Sequence, residues 1–171
     1  PDSLTYLKKG YDNIYFSFPN LQGEKVSLND EKYQEKVVIV QIFGTWCPNC
    51  MDETKFLTQW YDENKDSGVE IIGLAYEAKD DFDYAKSRVE KMIKKYDVKY
   101  DFLIAGTNDK EEASKTLPML NRVISFPTMI IIDKNGELVS IHTGFNGPGT
   151  GEYYDEFVQN FNTKMDSLLN E

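Results

Sequence analysis

The chain has 171 residues, with 19 Lys+Arg against 29 Asp+Glu for a net charge of −10, and 40% of the residues are hydrophobic. That supplies one domain with a sizeable core and excludes a disordered tail. The acidic balance argues against nucleic-acid binding, which needs a basic stripe to displace counterions. No apolar run approaches the ~20 residues that span a bilayer. With two cysteines and one histidine in the chain, a disulfide scaffold and most metal sites are excluded.

Residues 1–171 are expected to form a single unit in which 1–13 is a lead-in segment. Because residue 1 is proline, the chain reads as processed or truncated, with any membrane tether upstream of it. Ile14, Phe16 and Phe18 alternate with polar residues as in a half-buried strand, and Asn20 to Gly23 turns the chain toward a second strand at Val26 and Leu28. Val37 to Phe43, VVIVQIF, is the kind of run buried on both sheet faces. A helix is expected from the Trp46-Cys47-Pro48-Asn49-Cys50 segment to about Lys65, with Phe56, Leu57 and Trp60 on one stripe. Val69 to Tyr76 is a second core strand. A helix over 80–96 follows, then a short strand over 102–105 and a short helix over 110–117. Ser125-Phe126-Pro127-Thr128 opens the strand 129–132. Asp133 to Gly136 is a tight turn in which Asn135-Gly136 supplies positive φ, and Leu138 to Thr143 is the partner strand. Gly144 to Gly151 is a loop, and Glu152 to Leu169 closes the chain as a helix. Strands alternating with helices, plus a terminal hairpin, make an α/β fold with a mixed sheet.

The chemistry sits in Trp46-Cys47-Pro48-Asn49-Cys50. Cys47 falls at a helix start, where free N–H groups and the helix dipole favour an anion and lower a thiol pKa below its free value of ~8.5. Pro48 suits the first helical position, since its missing N–H would be unpaired there anyway. Cys50 stands one turn on, close enough to close a disulfide. The first sulfur is expected to be the exposed nucleophile and the second the buried resolver. A structural staple is a poor alternative, because so short a bridge constrains little unfolded chain. A zinc half-site would need two further ligands where only His142 remains. No motif calls for a cofactor.

These residues resemble the thioredoxin superfamily, and within it the TlpA/ResA-like extracytoplasmic thiol-disulfide oxidoreductases. The resemblance runs from about Ile14 to Leu169 and rests on the hairpin, VVIVQIFGTWCPNC, VEIIGLAY, SFPTMIIIDKNGELV and the last helix. It implies a thioredoxin-like fold in which a central mixed sheet is flanked by helices. It also implies an N-terminal β-hairpin and an inserted helix-strand unit before a cis-proline, Pro127. Thioredoxin carries an aspartate on the strand before its motif; here Gln41 stands there. The resemblance implies that Trp46, Pro48, Phe126 and Pro127 face substrate, with the Phe126 backbone receiving an extended segment by strand addition. It further implies a glutamate in the spacing C-x-x-C-x-x-E, which is Glu53 here. On the face of Cys50, at the head of an apolar stripe, Glu53 should have a raised pKa and relay a proton as the mixed disulfide resolves.

The resemblance implies protein thiol-disulfide exchange, in the reducing direction, on cysteines of exported proteins, among them apocytochrome c in cytochrome c biogenesis. The expected partners are protein thiols and disulfides and a membrane electron donor. The setting that the resemblance implies is extracytoplasmic, the bacterial periplasm, and the chain is expected to be a monomer. Alternatives on the same fold are a thiol peroxidase, a copper-delivery protein and a redox-inert binding module. The peroxidase lacks its upstream proline, and copper delivery uses a wider C-x-x-x-C spacing with a distal histidine. Of the remaining polar residues, Glu77 reads as loop solvation with a possible place at the rim of the site. His142 reads as a surface strand residue, and Gly147 to Gly151 as a connection without the Lys-Ser/Thr of a phosphate loop.

Overall fold

A computed structural model of the protein describes residues 4–123 and 125–171; residues 1–3 of the lead-in and residue 124 lie outside the described residues. In chain order the elements are β1 (Ser17–Pro19), β2 (Lys25–Ser27), a 3-10 turn (Glu31–Tyr33), β3 (Val37–Phe43) and α1 (Pro48–Asn64). There follow β4 (Val69–Glu77), α2 (Phe82–Tyr96), β5 (Asp101–Thr107) and α3 (Lys110–Thr116). The chain ends with β6 (Thr128–Ile132), β7 (Leu138–Thr143), a second 3-10 turn (Pro148–Thr150) and α4 (Glu152–Leu169).

The apolar runs form the centre of the sheet. Strand order is β5-β4-β3-β6-β7, with β3, β4 and β5 mutually parallel and β6 antiparallel to both of its neighbours, β3 and β7. Every residue of β3 and β4 is buried, as expected for strands covered on both faces. Side chains alternate across β3. Val37, Ile39 and Phe43 meet α1, α2 and α4 through Leu57, Trp60, Met92 and Phe161. Val38, Val40 and Ile42 meet Phe16, Leu28, Ala113 and Leu120 on the other face. Removing a side chain such as Leu57, which is fully buried, costs about 2–5 kcal/mol. Gly73 sits where a Cβ would lie 2.5 Å from Phe102, so any larger residue there forces that ring to shift.

The thioredoxin-like architecture stands as the sequence implies, and several boundaries move. The first hairpin strand begins at Ser17 rather than Ile14, although Ile14 and Phe16 are buried as the alternation predicts. β5 runs on to Thr107, because Gly106 and Thr107 pair with Tyr76 and Glu77 beyond a bulge. In the Asp133–Gly136 turn only Gly136 has positive φ; Asn135 does not, and its N–H is held by the Asp133 carboxylate. The lead-in is tied down. Lys8 N–H donates to the Met119 carbonyl, Asn121 N–H to Tyr6, and the Asn121 side chain closes two more bonds with Leu4 and Tyr6.

Candidate active site

The parallel strands β3 and β4 both end at the same edge of the sheet, the usual place for a site in an open α/β sheet. β3 hands over to Gly44-Thr45-Trp46 and then to α1. Cys47 is the N-cap of that helix, with extended backbone (φ −102°, ψ 113°), and its sulfur accepts the Cys50 N–H at 3.3 Å. Pro48 takes the first helical position, and no acidic residue stands in the first turn to oppose a thiolate. The two sulfurs are free thiols here.

The expectation of an exposed Cys47 needs correction. It is only 7% exposed, against 0% for Cys50. The carbonyl of Phe126, to which the Cys47 thiol donates at 3.7 Å, roofs it from the opposite loop. Trp46 extends that roof by packing edge-on to the Phe126 ring at 5.4 Å. The order of access survives: Cys47 is the residue that reaches solvent, and Cys50 does not.

The pair is electrostatically split. The Cys50 thiol, followed by the backbone N–H groups of Cys50 and Asn49, pulls the Cys47 pKa down to about 7 against the opposing effect of burial. Cys50 is pushed up, first by the sulfur of Cys47, then by burial, with the charge of Glu53 adding to it. The two titrate as one coupled unit.

Glu53 is fully buried, and neither carboxylate oxygen has a hydrogen-bond partner among the described residues. Burial raises its pKa to about 8; Gln41 opposes this and the charge on Cys47 adds to it. The inward orientation read from its place on the stripe is therefore the observed one. Gln41, on β3, spans the space behind the pair. Its Nε2 donates to Thr54 Oγ1 at 3.1 Å and to the Cys50 carbonyl at 3.5 Å, and its Oε1 accepts from Tyr100 at 3.4 Å.

The Phe126–Pro127 peptide is cis, as the resemblance implies, and Pro127 is buried. All seven residues singled out in the sequence, Trp46, Cys47, Pro48, Cys50, Glu53, Phe126 and Pro127, thus gather at one sheet edge or just behind it. The sequence reading missed the end of β4. Trp46 Nε1–H donates to the Tyr76 carbonyl at 2.8 Å. Glu77, expected to be solvated, is 1% exposed and accepts the Thr45 N–H through both oxygens at 3.1 and 3.3 Å. Its burial raises its pKa, against the hydrogen bonds from Thr45 and the charge of Arg88. The signal was present in the sequence: a carboxylate closing the apolar run Ile71 to Tyr76, IIGLAY. His142 is an exposed strand residue, as expected, set opposite Met129.

The comparisons agree with this geometry. The family model described as Redoxin matches residues 13–157. The chain is 32% identical over 154 residues to the thiol-disulfide oxidoreductase ResA of Bacillus thuringiensis subsp. konkukian, covering 90% of this chain and 78% of that protein. It is 25% identical over 138 residues to ResA of Bacillus subtilis, covering 81% and 69%. Among solved structures, the thioredoxin domain of a thiol-disulfide oxidoreductase from Bacteroides vulgatus superposes with a TM-score of 0.63 at 22% identity, covering 91% of this chain and 99% of that one; that likeness speaks to the fold.

Proposed function

From the premise that the chain belongs to the Redoxin family of the thioredoxin superfamily, among its ResA-like thiol-disulfide oxidoreductases, we propose that it reduces disulfides of exported proteins outside the cytoplasm. The observation that carries this reading is the split pair: a thiolate-prone Cys47 at a helix N-terminus, 3.7 Å from the Phe126 carbonyl, beside a buried Cys50 that holds its proton.

The Cys47 thiolate attacks one sulfur of a substrate disulfide lying along the Phe126 backbone. A Cys47–substrate disulfide forms and the first substrate thiolate leaves. Cys50 then gives its proton to the Glu53 carboxylate and attacks the Cys47 sulfur. The second substrate thiolate leaves and takes a proton, and the product is the Cys47–Cys50 disulfide. Two electrons pass to the substrate. Glu53, with a pKa of about 8, is matched to both halves of that proton transfer near neutral pH. Trp46, Pro48 and Pro127 shape the surface on which the substrate segment lies. A thiol-bearing membrane electron donor then returns two electrons to the pair, and the chain acts as a monomer with 1–171 as one unit.

The test is dithiothreitol-coupled reduction of insulin disulfides, together with the reduction potential of the pair in a glutathione or dithiothreitol buffer. A potential near that of thioredoxin, ~−270 mV, supports the reducing direction. One near ~−120 mV makes the protein an oxidant and overturns it.

A further inference from the structure

Beside the cysteine pair, between α1 and α2, runs a groove of about 240 Å³. Its floor is apolar, formed by Met51, Met92 and Tyr96, and its rim is cationic, formed by Arg88, Lys91 and Lys95. One end opens at Thr45, two residues before Cys47, where Arg88 Nε donates to Thr45 Oγ1 at 3.2 Å. Met51, one turn beyond Cys47 on α1, lines it as well. Lys55 of α1 adds a fourth cation, its Nζ 5.2 Å from the centre of the Tyr96 ring, which Lys95 also approaches at 5.5 Å.

In a chain of net charge −10 this concentration of cations is out of keeping with the whole. None of the four makes a salt bridge among the described residues; those that exist lie elsewhere, at Lys32–Asp101, Lys99–Asp97 and Lys115–Glu112. Helix-dipole stabilisation accounts for a lysine in the last turn of α2, but it fades within a turn and leaves Lys91 unexplained, while Arg88 is held by Thr45 and acts on the buried Glu77. The 88, 91, 95 spacing puts all three on one helical face.

We propose that this groove is a docking subsite for an acidic stretch of polypeptide flanking the target cysteine of the substrate. The inference rests on the disulfide-exchange reading above and adds a substrate preference to it. A segment held at Phe126 and crossing Cys47 continues over Thr45 and Met51 into the groove. From residue 88 to residue 95 the rim extends about 10 Å, the reach of about three extended residues. Methionine side chains adapt to whatever apolar group accompanies the carboxylates. A membrane surface fits less well. Among the described residues the large exposed hydrophobics are Leu4, Tyr6, Tyr11, Tyr15, Trp46, Val139 and Tyr153, and none of them rims this groove, whereas an interfacial face needs such residues to insert.

The test compares two disulfide-bridged peptides of identical core, one with paired aspartates beside the cysteine and one with paired asparagines. Initial rates are measured with the full chain at low and physiological salt. The expected result is a higher kcat/KM for the aspartate peptide, carried by KM and shrinking with salt. In K91E/K95E that preference should fall by roughly three- to tenfold, the scale of two exposed ion pairs, or reverse. Lys94→Glu, a charge reversal at one site on the same helix outside the groove, should retain it. Equal rates on the two peptides, or equal loss of preference in Lys94→Glu, would overturn the proposal. So would binding to anionic phosphatidylserine vesicles that K91E/K95E abolishes while peptide preference stays unchanged. Failure to reduce either peptide refutes the exchange reading instead, so the two failures are distinguishable.

Discussion

Replacing Glu53 by glutamine tests the site and its energetics together. The side chain is fully buried without a hydrogen-bond partner among the described residues, and its pKa rises from 4.5 to about 8. A carboxyl with a raised folded pKa binds more protons folded than unfolded across that interval. Its stabilising contribution is therefore fully present below pH 4.5 and is lost as pH rises through about 8. At about 1.4 kcal/mol per pKa unit the loss reaches ~5 kcal/mol across the whole interval, and ~3 kcal/mol of it is already felt at neutral pH. Glutamine has nearly the same shape and never ionises. Urea unfolding of the reduced Glu53→Gln variant should match wild type near pH 4.5 and pull ahead of it steadily toward pH 8. The variant should also titrate Cys50 at lower pH, since the Glu53 charge no longer raises it, and should turn over more slowly for want of the proton acceptor. Thiolate absorbance and insulin reduction check these two effects. Parallel stability curves for the two proteins would refute the reasoning, because they would mean that Glu53 is solvated or paired in the folded state.

Other expectations follow from the same geometry. The rate of iodoacetamide alkylation of Cys47 should rise with pH around a midpoint of about 7, and labelling of Cys50 ahead of Cys47 would reverse their roles. Cys50→Ser should accumulate a mixed disulfide with substrate, visible on non-reducing gels and dissolved by dithiothreitol. Gly73→Ala should lower stability by about 1–3 kcal/mol in chemical denaturation, because the new Cβ meets the Phe102 ring; an unchanged midpoint would show that the ring gives way freely. Glu77→Leu should cost about 1–3 kcal/mol by leaving the Thr45 N–H without its acceptor, and should raise proteolytic cleavage at the 44–46 turn.

What could be read in advance was what depends on local pattern. The closing helix at 152–169, the start of α1 at Pro48 and the runs of β3 and β4 follow from periodicity and from the residues that start and stop helices. Glu53 could be placed inward because helical spacing alone puts it with Cys50. What could not be read depends on partners distant in sequence. Cys47 is covered by Phe126, 79 residues away. Glu77 is buried by the Thr45 turn, and β5 lengthens because a bulge re-pairs it with the end of β4. The binding of Asn121 to the lead-in belongs to the same class. The 3-10 turn at 31–33 carries one buried aromatic among charged residues, too little pattern to announce itself.

Cys47, the proposed nucleophile, is also the cap of α1. A thiolate is a much stronger acceptor for the Cys50 N–H than a sulfur already bridged to its neighbour, so the first turn of the helix is held differently in the two oxidation states. Thermodynamics then closes a cycle. The amount by which the dithiol form outlasts the disulfide form in denaturant equals the amount by which folding displaces the electron affinity of this Cys-x-x-Cys from its value in the unfolded chain, about 30 mV for each 1.4 kcal/mol. Any substitution that tightens the reduced cap makes the protein a better electron acceptor, and any that frays it makes a better donor. Two unfolding curves, one for each oxidation state, therefore report how far folding shifts the driving force for electron transfer, and they make the first turn of α1 the place where it can be tuned.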